Sequence, residues 1–206
     1  MPSNSTFVEV KNAFQAIAGL ESLTSADEFF LINSLNRAVY RAYNESDSWP
    51  RYLVVGEARL LSSDPASSVP YTEAGKSNIG EFLRLHRNQP FLKNSTVEYE
   101  FYVDSSGAHI LNLTSSDAQS VYATYKKELG ANYTADSIDI PAEFVDYIIY
   151  TALSDFYTGD GQTEKAAISA NQAKLMLDIE LLRLDKKANN NIINKKFSTY
   201  TNRQSR

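Results

Sequence analysis

The chain has 206 residues, of which 43% are hydrophobic and 22% charged, and its formal net charge at pH 7 is −5. That length and apolar content fit one globular domain carrying an insertion, and they exclude a wholly disordered chain. The absence of cysteine excludes disulfides, thiolate metal sites and cysteine nucleophiles. No stretch has the length and apolarity of a membrane span and no signal-peptide pattern opens the chain, so we expect a soluble, unsecreted protein.

The first fifty residues predict two short antiparallel helices. Thr6 and Glu9 form a capping-box pattern at the start of the first helix, and Gly19 suits the left-handed position beyond its end. A second capping-box pattern, Ser25 with Glu28, is predicted to open the second helix. The expected apolar face of that helix comprises Phe29, Ile32, Val39, Tyr40 and Tyr43.

The middle of the chain has a strand-like pattern. The pair Trp49-Pro50 is predicted to end the helices, because a residue before proline is pushed out of the α region. The clearest element that follows is a hairpin, in which residues 97–103 and 108–113 flank a four-residue loop, Asp104 to Gly107. We interpret residues 51–128 as a small antiparallel sheet inserted in a helical protein.

Two more helices are predicted after the insertion. The first begins near Pro141, which is tolerated in a first helical turn, and ends at Gly159. The second begins near Thr163 and ends at about Lys187, before the run Asn189 to Asn191, because asparagine is a poor helix former. The packing face of this long helix, within or between subunits, is predicted to comprise Ala166, Ala170, Ala173 and Leu177.

These elements predict a mainly α fold over residues 1–187. A helical bundle, built from residues 6–50 and 139–187, carries the small antiparallel sheet and hairpin subdomain over 51–128. An extended basic C-terminal arm is predicted over residues 188–206.

The basic charge is concentrated at the end of the chain. Residues 186–206 contain six basic and no acidic residues, which leaves 14 basic against 25 acidic residues, a net charge of −11, in the rest. The segment has too few apolar residues to offset the roughly 1 to 2 kcal/mol per residue that ordering a backbone costs. Three interpretations stay open: an arm that docks on a protein, a nucleic-acid contact confined to the tail, and a solvated terminus.

No motif in the sequence predicts catalysis. The two histidines, His86 and His109, lie 23 residues apart with no flanking carboxylate cluster, so they do not predict a metal site. Gly75-Lys76-Ser77 is not a phosphate-binding loop, since Pro70 occupies the position of the required first glycine, and no G-x-S-x-G pattern occurs. We therefore expect no enzymatic activity, no cofactor and no metal.

Four segments follow one another along the chain, and after them come a Gly-Asp turn and a long amphipathic helix with a basic tail. The segments are Trp49-Pro50, Tyr99-Glu-Phe-Tyr-Val103, Val121-Tyr-Ala-Thr-Tyr-Lys126 and Ile140-Pro-Ala-Glu-Phe144. This order of elements covers nearly the whole chain. In this order of elements the chain resembles the head-to-tail adaptor, or connector, proteins of tailed bacteriophages.

The resemblance implies a structural protein of the virion, made in the bacterial host cytoplasm. It would form a homo-oligomeric ring, commonly dodecameric, in the neck between portal and tail, with the portal protein, a tail or nozzle protein and its own copies as partners and no membrane contact. Alternatives are a tail-completion or nozzle ring component and a nucleic-acid-binding module. The acidic body would suit proximity to DNA in a channel, because like charges repel.

The resemblance also implies that the C-terminal arm docks on the portal. The candidate docking residues are Ile192, Ile193, Lys195, Lys196, Phe197, Tyr200, Arg203 and Arg206.

Overall fold

Four α-helices and three small antiparallel sheets form the part of the chain that a computed structural model describes, residues 4–63, 66–90, 97–111, 113 and 120–204. The helices are α1 (Phe7–Ala18), α2 (Ser25–Asn44), α3 (Val145–Gly159) and α4 (Thr163–Gln204). The strands are β1 (Asn4–Ser5), β2 (Leu53–Leu60), β3 (Ser62–Ser63), β4 (Ala66–Val69), β5 (Ile79–His86), β6 (Phe101–Asp104), β7 (Gly107–Ile110), β8 (Ser120–Lys127) and β9 (Ile140–Pro141). The fold is therefore mixed α/β, not mainly α as predicted. The β content is larger than expected, since the middle of the chain forms two sheets rather than one.

The chain divides into two compact units. The helical unit comprises Met1–Ser46 and Ala131–Arg206, and the β unit comprises Asp47–Gly130, against the predicted range of 51–128. Within the helical unit, α3 contacts α1, α2 and α4, and β1 pairs with β9. Because α3 is the shared neighbour, it organises the core of this unit.

The capping box of α1 is confirmed. The Thr6 hydroxyl accepts a hydrogen bond from the Glu9 N–H at 3.2 Å, and the Glu9 carboxylate accepts one from the Thr6 N–H at 2.8 Å. Gly19 follows the helix with φ 72°, the left-handed conformation that the sequence predicts. Contacts within a few residues therefore define both ends of this helix, and at its start the Phe7 N–H also donates to the distant Ser137 carbonyl at 2.9 Å.

The predicted capping box of α2 is wrong by one residue. The cap is Thr24, whose extended backbone (φ −71°, ψ 163°) precedes the helix, and its partner is Asp27 rather than Glu28. The Thr24 hydroxyl accepts a hydrogen bond from the Asp27 N–H at 3.2 Å. The Asp27 carboxylate accepts one from the Thr24 hydroxyl at 2.6 Å and one from the Thr24 N–H at 3.1 Å. The two bonds to the carboxylate, the hydroxyl's first, lower the pKa of Asp27.

The predicted apolar face of α2 is also partly wrong. Phe29 and Tyr40 are 68% and 60% exposed, whereas Val39 and Tyr43 are buried. The buried face is displaced from the predicted one, because the buried positions from Leu31 to Ala42 recur at steps of three and four residues, a spacing that leaves Phe29 and Tyr40 outside the row. Its residues are Leu31, Ser34, Leu35, Ala38, Val39, Ala42 and Tyr43.

The two later helices also differ from prediction at one end each. Pro141 lies in β9, paired with Asn4 of β1, so α3 begins at Val145 after a single 3-10 turn. α4 begins at Thr163 as predicted but continues to Gln204, so the predicted extended arm is corrected to helix over residues 188–204. That segment contains neither glycine nor proline, and each asparagine costs a helix only about 0.7 kcal/mol.

The β unit contains two sheets with strand orders β2-β8-β5 and β3-β4-β7-β6. The hairpin β6–β7 is confirmed, but its loop has two residues, Ser105 and Ser106, instead of four, because Asp104 and Gly107 already pair. Gly107 has φ 143°, and a Cβ placed there would lie 2.1 Å from the Val69 carbonyl oxygen. Only glycine fits where β7 passes so close to the neighbouring strand.

Candidate functional site

Helix α4 packs against α3 through small side chains. Ala166, Ser169, Ala173 and Leu177 are buried on α4. The Ser154 hydroxyl of α3 donates a hydrogen bond to the Ala166 carbonyl at 3.0 Å, so the two backbones lie close together. Ala170, which the sequence also predicts as a packing residue, is instead exposed and lines a groove beside this interface.

The groove has a volume of about 360 Å³ and lies between α2 and α4, with α3 forming its floor. Its apolar wall on α4 comprises Ala170, Ala173, Leu177 and Leu181. Its charged residues are Arg41, Glu45, Asp155, Lys174 and Asp178. With three carboxylates against two cations the groove carries a formal charge of −1, which disfavours binding of a polyanion.

An ion pair fixes the α2 side of this groove. Arg37 donates from Nη2 to the Asp155 carboxylate at 2.7 Å, and Ser34 donates from its hydroxyl to the same carboxylate at 3.0 Å. Both bonds join α2 to α3, and together they hold the Asp155 carboxylate in one orientation. The spacing of the helices that line the groove is therefore set by side-chain chemistry as well as by packing.

Two further apolar surfaces lie on the outer sides of α2 and α4. Ile168, Leu175 and Leu182 follow one another at seven-residue intervals on α4 and are 68%, 50% and 58% exposed; we call them the α4 stripe. Phe29 and Tyr40 form a corresponding α2 pair. Sequence reasoning missed both as surfaces, although the seven-residue interval was a signal that could have identified the stripe.

The predicted portal-docking residues belong to the last part of α4. Ile192, Ile193, Lys195, Lys196, Phe197, Tyr200 and Arg203 fall within the helical backbone. Their side chains, and Arg206 as a whole, lie outside the described residues.

A serine, a histidine and a carboxylate meet in the β6–β7 hairpin, but their geometry is not that of a catalytic triad. The Ser106 hydroxyl lies 2.9 Å and the Asp104 carboxylate 3.0 Å from the same ring nitrogen, Nε2 of His109. A triad uses the two nitrogens separately, one for the nucleophile and one for the orienting carboxylate. Hydrogen bonds from Ser106, its hydroxyl first, also lower the pKa of Asp104 to about 2. The cluster therefore links the two strands of the hairpin at its turn.

The β unit also buries a charged cluster around Arg59. Its guanidinium donates from Nη2 to the Tyr125 hydroxyl and to the Ser77 carbonyl, both at 2.5 Å, and forms an ion pair with Glu57 at 2.9 Å. Burial, followed by the hydrogen bond to Glu57, raises the pKa of Tyr125 to about 12, although Arg59 opposes the shift. The bond to the Ser77 carbonyl ties the loop before β5 to the sheet. Because the Arg59 side chain is 0% exposed, the cluster presents no cation at the surface.

Within the described residues, no cluster of three or more histidines and carboxylates could hold a metal ion. None of the helices there combines the length and the apolarity needed to cross a membrane. No protein-family model matches the chain, and no curated protein matches it either.

Proposed function

We propose that this chain is a non-enzymatic structural protein of a bacteriophage virion, a head-to-tail adaptor whose ring joins the portal to the tail. The observation that carries the proposal is the length of α4. Its 42 residues correspond to about 63 Å, against about 22 Å for the 15 residues of α3. Because α3 can pair with only the first part of α4, the remaining part of α4, which includes the basic segment 187–204, continues as a helix past the end of α3.

The helical state of this segment supports docking by a helix face rather than by an extended arm. Ile193, Phe197 and Tyr200 have the spacing i, i+4, i+7, which places them on one side of a helical backbone. Lys196 and Arg203, themselves seven residues apart, lie to one side of that row. Such a pattern is typical of an amphipathic helix that binds in a groove of its partner. The proposed docking mode is therefore a helix-in-groove contact with the portal.

Co-sedimentation with portal rings tests this proposal. The full chain should sediment with the rings, whereas a chain without residues 188–206 and an Ile193→Ala/Phe197→Ala variant should remain in the supernatant. Asn202→Ala, on the opposite side of the helix, is the matched control and should sediment normally. Unchanged sedimentation of the truncated chain would contradict portal docking through this segment.

The concentration of six basic residues in the last 21 favours a second candidate, a nucleic-acid contact through the tail. Such binding should weaken steeply with added salt, with a slope set by the number of phosphates contacted. A tail-completion or nozzle ring is a third candidate and would bind purified tail components rather than the portal. Binding measured against DNA, portal rings and tails at two salt concentrations separates the three.

A further inference from the structure

The turn between α3 and α4 contains the pair of neighbours in this chain most prone to a spontaneous backbone rearrangement, Asp160-Gly161. The backbone nitrogen that follows an aspartate can attack the side-chain carboxyl, and glycine hinders that attack least because it has no Cβ. Asp160-Gly161 is the only Asp-Gly pair in the sequence, and no Asn-Gly pair occurs. Both residues are exposed, so water has access to the reacting groups.

The rearrangement needs no reactant other than water. The Gly161 nitrogen bonds to the Asp160 Cγ, and the amide proton and the carboxyl hydroxyl leave together as water, which gives a cyclic imide. Water then adds to either imide carbonyl. Addition at Cγ restores aspartate, whereas addition at the main-chain carbonyl breaks its bond to nitrogen and leaves isoaspartate, whose backbone runs through Cβ and Cγ.

The folded turn holds the reacting groups in an arrangement that opposes this reaction. The Gly161 N–H donates to the Thr158 carbonyl at 3.1 Å, so the attacking nitrogen is already engaged. Asp160 has the helical angles φ −79° and ψ −1°, and ring closure needs a large rotation about its Cα–C bond. The Gln162 N–H, which donates to the Tyr157 carbonyl at 2.8 Å, resists that rotation.

Two hydrogen bonds at the start of α4 keep the turn in place. The Ser154 hydroxyl of α3 donates to the Ala166 carbonyl at 3.0 Å, and the Ala166 N–H donates to the Gln162 carbonyl at 3.0 Å. Gly161 itself has φ 73°, the left-handed conformation in which the chain leaves α3. The attacking nitrogen is therefore released only when this part of the unit opens locally.

We propose that Asp160-Gly161 is a site of isoaspartate formation that the folded turn protects, so that the modification occurs only when the α3–α4 turn opens. Isoaspartate adds a methylene to the main chain, so the Gly161 and Gln162 N–H groups no longer fit their acceptors in α3 together. The product thereby weakens the turn that had prevented its formation. This inference goes beyond the proposed function and does not depend on it.

Comparison of the folded chain with a reference peptide tests the proposal. The full chain and a synthetic peptide of residues 155–166 are incubated in the same neutral buffer, and isoaspartate at position 160 is measured by electron-transfer fragmentation in a mass spectrometer. So short a peptide does not hold the helical turn in water, so it should isomerise several-fold faster than the folded chain. An equal or faster rate in the folded chain would overturn the protection. Faster isoaspartate formation at another aspartate of the denatured full chain would overturn the choice of site.

Two substitutions relate the rate to opening of the turn. Ser154→Ala removes the bond to the Ala166 carbonyl and should raise both hydrogen exchange of the Gly161 amide and isoaspartate formation at Asp160. Asn171→Ala, at an exposed position further along α4, is the matched control and should change neither. A rate of isoaspartate formation that does not follow hydrogen exchange across these variants would overturn the proposal.

Discussion

Arg59 and Tyr125 form a buried pair on adjacent strands of the β unit. The guanidinium carbon of Arg59 lies 4.7 Å from the centroid of the Tyr125 ring, and its Nη2 donates to the phenol oxygen at 2.5 Å. The phenol in turn donates to the Glu57 carboxylate at 2.7 Å. The cation–π contact, the hydrogen bonds from Nη2 and the ion pair with Glu57 therefore offset part of the cost of removing this charge from water, while Nε and Nη1 find no hydrogen-bond partner among the described residues.

Replacing this arginine should destabilise the β unit. In Arg59→Met the carboxylates of Glu57 and Glu73 lose a partner, and we expect the free energy of unfolding to fall by about 3 kcal/mol. Denaturant unfolding followed by the fluorescence of Trp49, the only tryptophan and a buried residue of this unit, measures the effect. Tyr125→Phe, which removes only the hydroxyl, should cost less, about 1 to 2 kcal/mol. Equal losses in the two variants would show that the buried charge stabilises the unit no more than the hydroxyl does.

Gly107→Ala should be among the most destabilising single-methyl changes in the chain. The added Cβ would meet the Val69 carbonyl oxygen at 2.1 Å, and φ 143° is itself strained for alanine, so we expect a loss of at least about 2 kcal/mol. The same Trp49 fluorescence measures it. Gly130→Ala is the control, since a Cβ there meets nothing within 4 Å, and its effect should stay within about 0.5 kcal/mol. A neutral Gly107→Ala variant would rule out this strand contact.

The hairpin cluster predicts a pH dependence of defined sign. The ordinary pKa of an aspartate is 3.8, and the hydroxyl and N–H of Ser106 hold the pKa of Asp104 at about 2 in the folded chain. A carboxylate with a lowered pKa contributes stability above its unfolded pKa, and this contribution disappears as the pH falls through the folded value. The stability difference between the native chain and Asp104→Asn should therefore shrink between about pH 4 and pH 2.

Thermal unfolding of both proteins over that pH range measures the shrinkage. Taking the difference between them removes the effect of the other carboxylates, which titrate in both. A difference that stays constant with pH would show that Asp104 is not held by Ser106.

Two alanines of α4 should respond oppositely to enlargement. Ala173 is buried against α3, so Ala173→Leu overpacks the interface and should cost about 2 kcal/mol. Ala170 lines the groove and is exposed, so Ala170→Leu should change stability by no more than about 0.5 kcal/mol. Unfolding followed by helical circular dichroism compares them directly. A larger loss at Ala170 than at Ala173 would contradict the α3–α4 packing.

The corrected cap of α2 makes a separate prediction. Thr24→Ala removes the hydroxyl that accepts from the Asp27 N–H, and we expect a loss of about 1 kcal/mol. Ser25→Ala, one residue later and inside the helix, should change stability by less than about 0.5 kcal/mol. The same circular dichroism measurement distinguishes the two variants. If Ser25→Ala proved the more harmful, the cap would be the one expected from sequence.

Features set by neighbouring residues were predictable from the sequence. The Thr6 capping box, the Gly19 end of α1 and the start of α4 at Thr163 all depend on contacts within a few positions. The alternation around Asp104 to Gly107 likewise predicted a hairpin. Even here two neighbouring residues, Thr24 and Ser25, could each have capped α2. Thr24 is the cap, because its backbone is extended whereas Ser25 is already in the helix.

The sequence by itself therefore determined the helix ends and the hairpin that depend on neighbouring residues, whereas the tertiary structure decided which helix faces are covered and placed Pro141 in a strand. Helical spacing made Phe29 and Tyr40 candidates for the core as much as Val39, and only the packing of α2 on its neighbours left those two rings exposed. The same holds for the α4 stripe and for the burial of Arg59. Periodicity reports which side chains share a face, whereas burial depends on the shape and charge of residues far away in the chain.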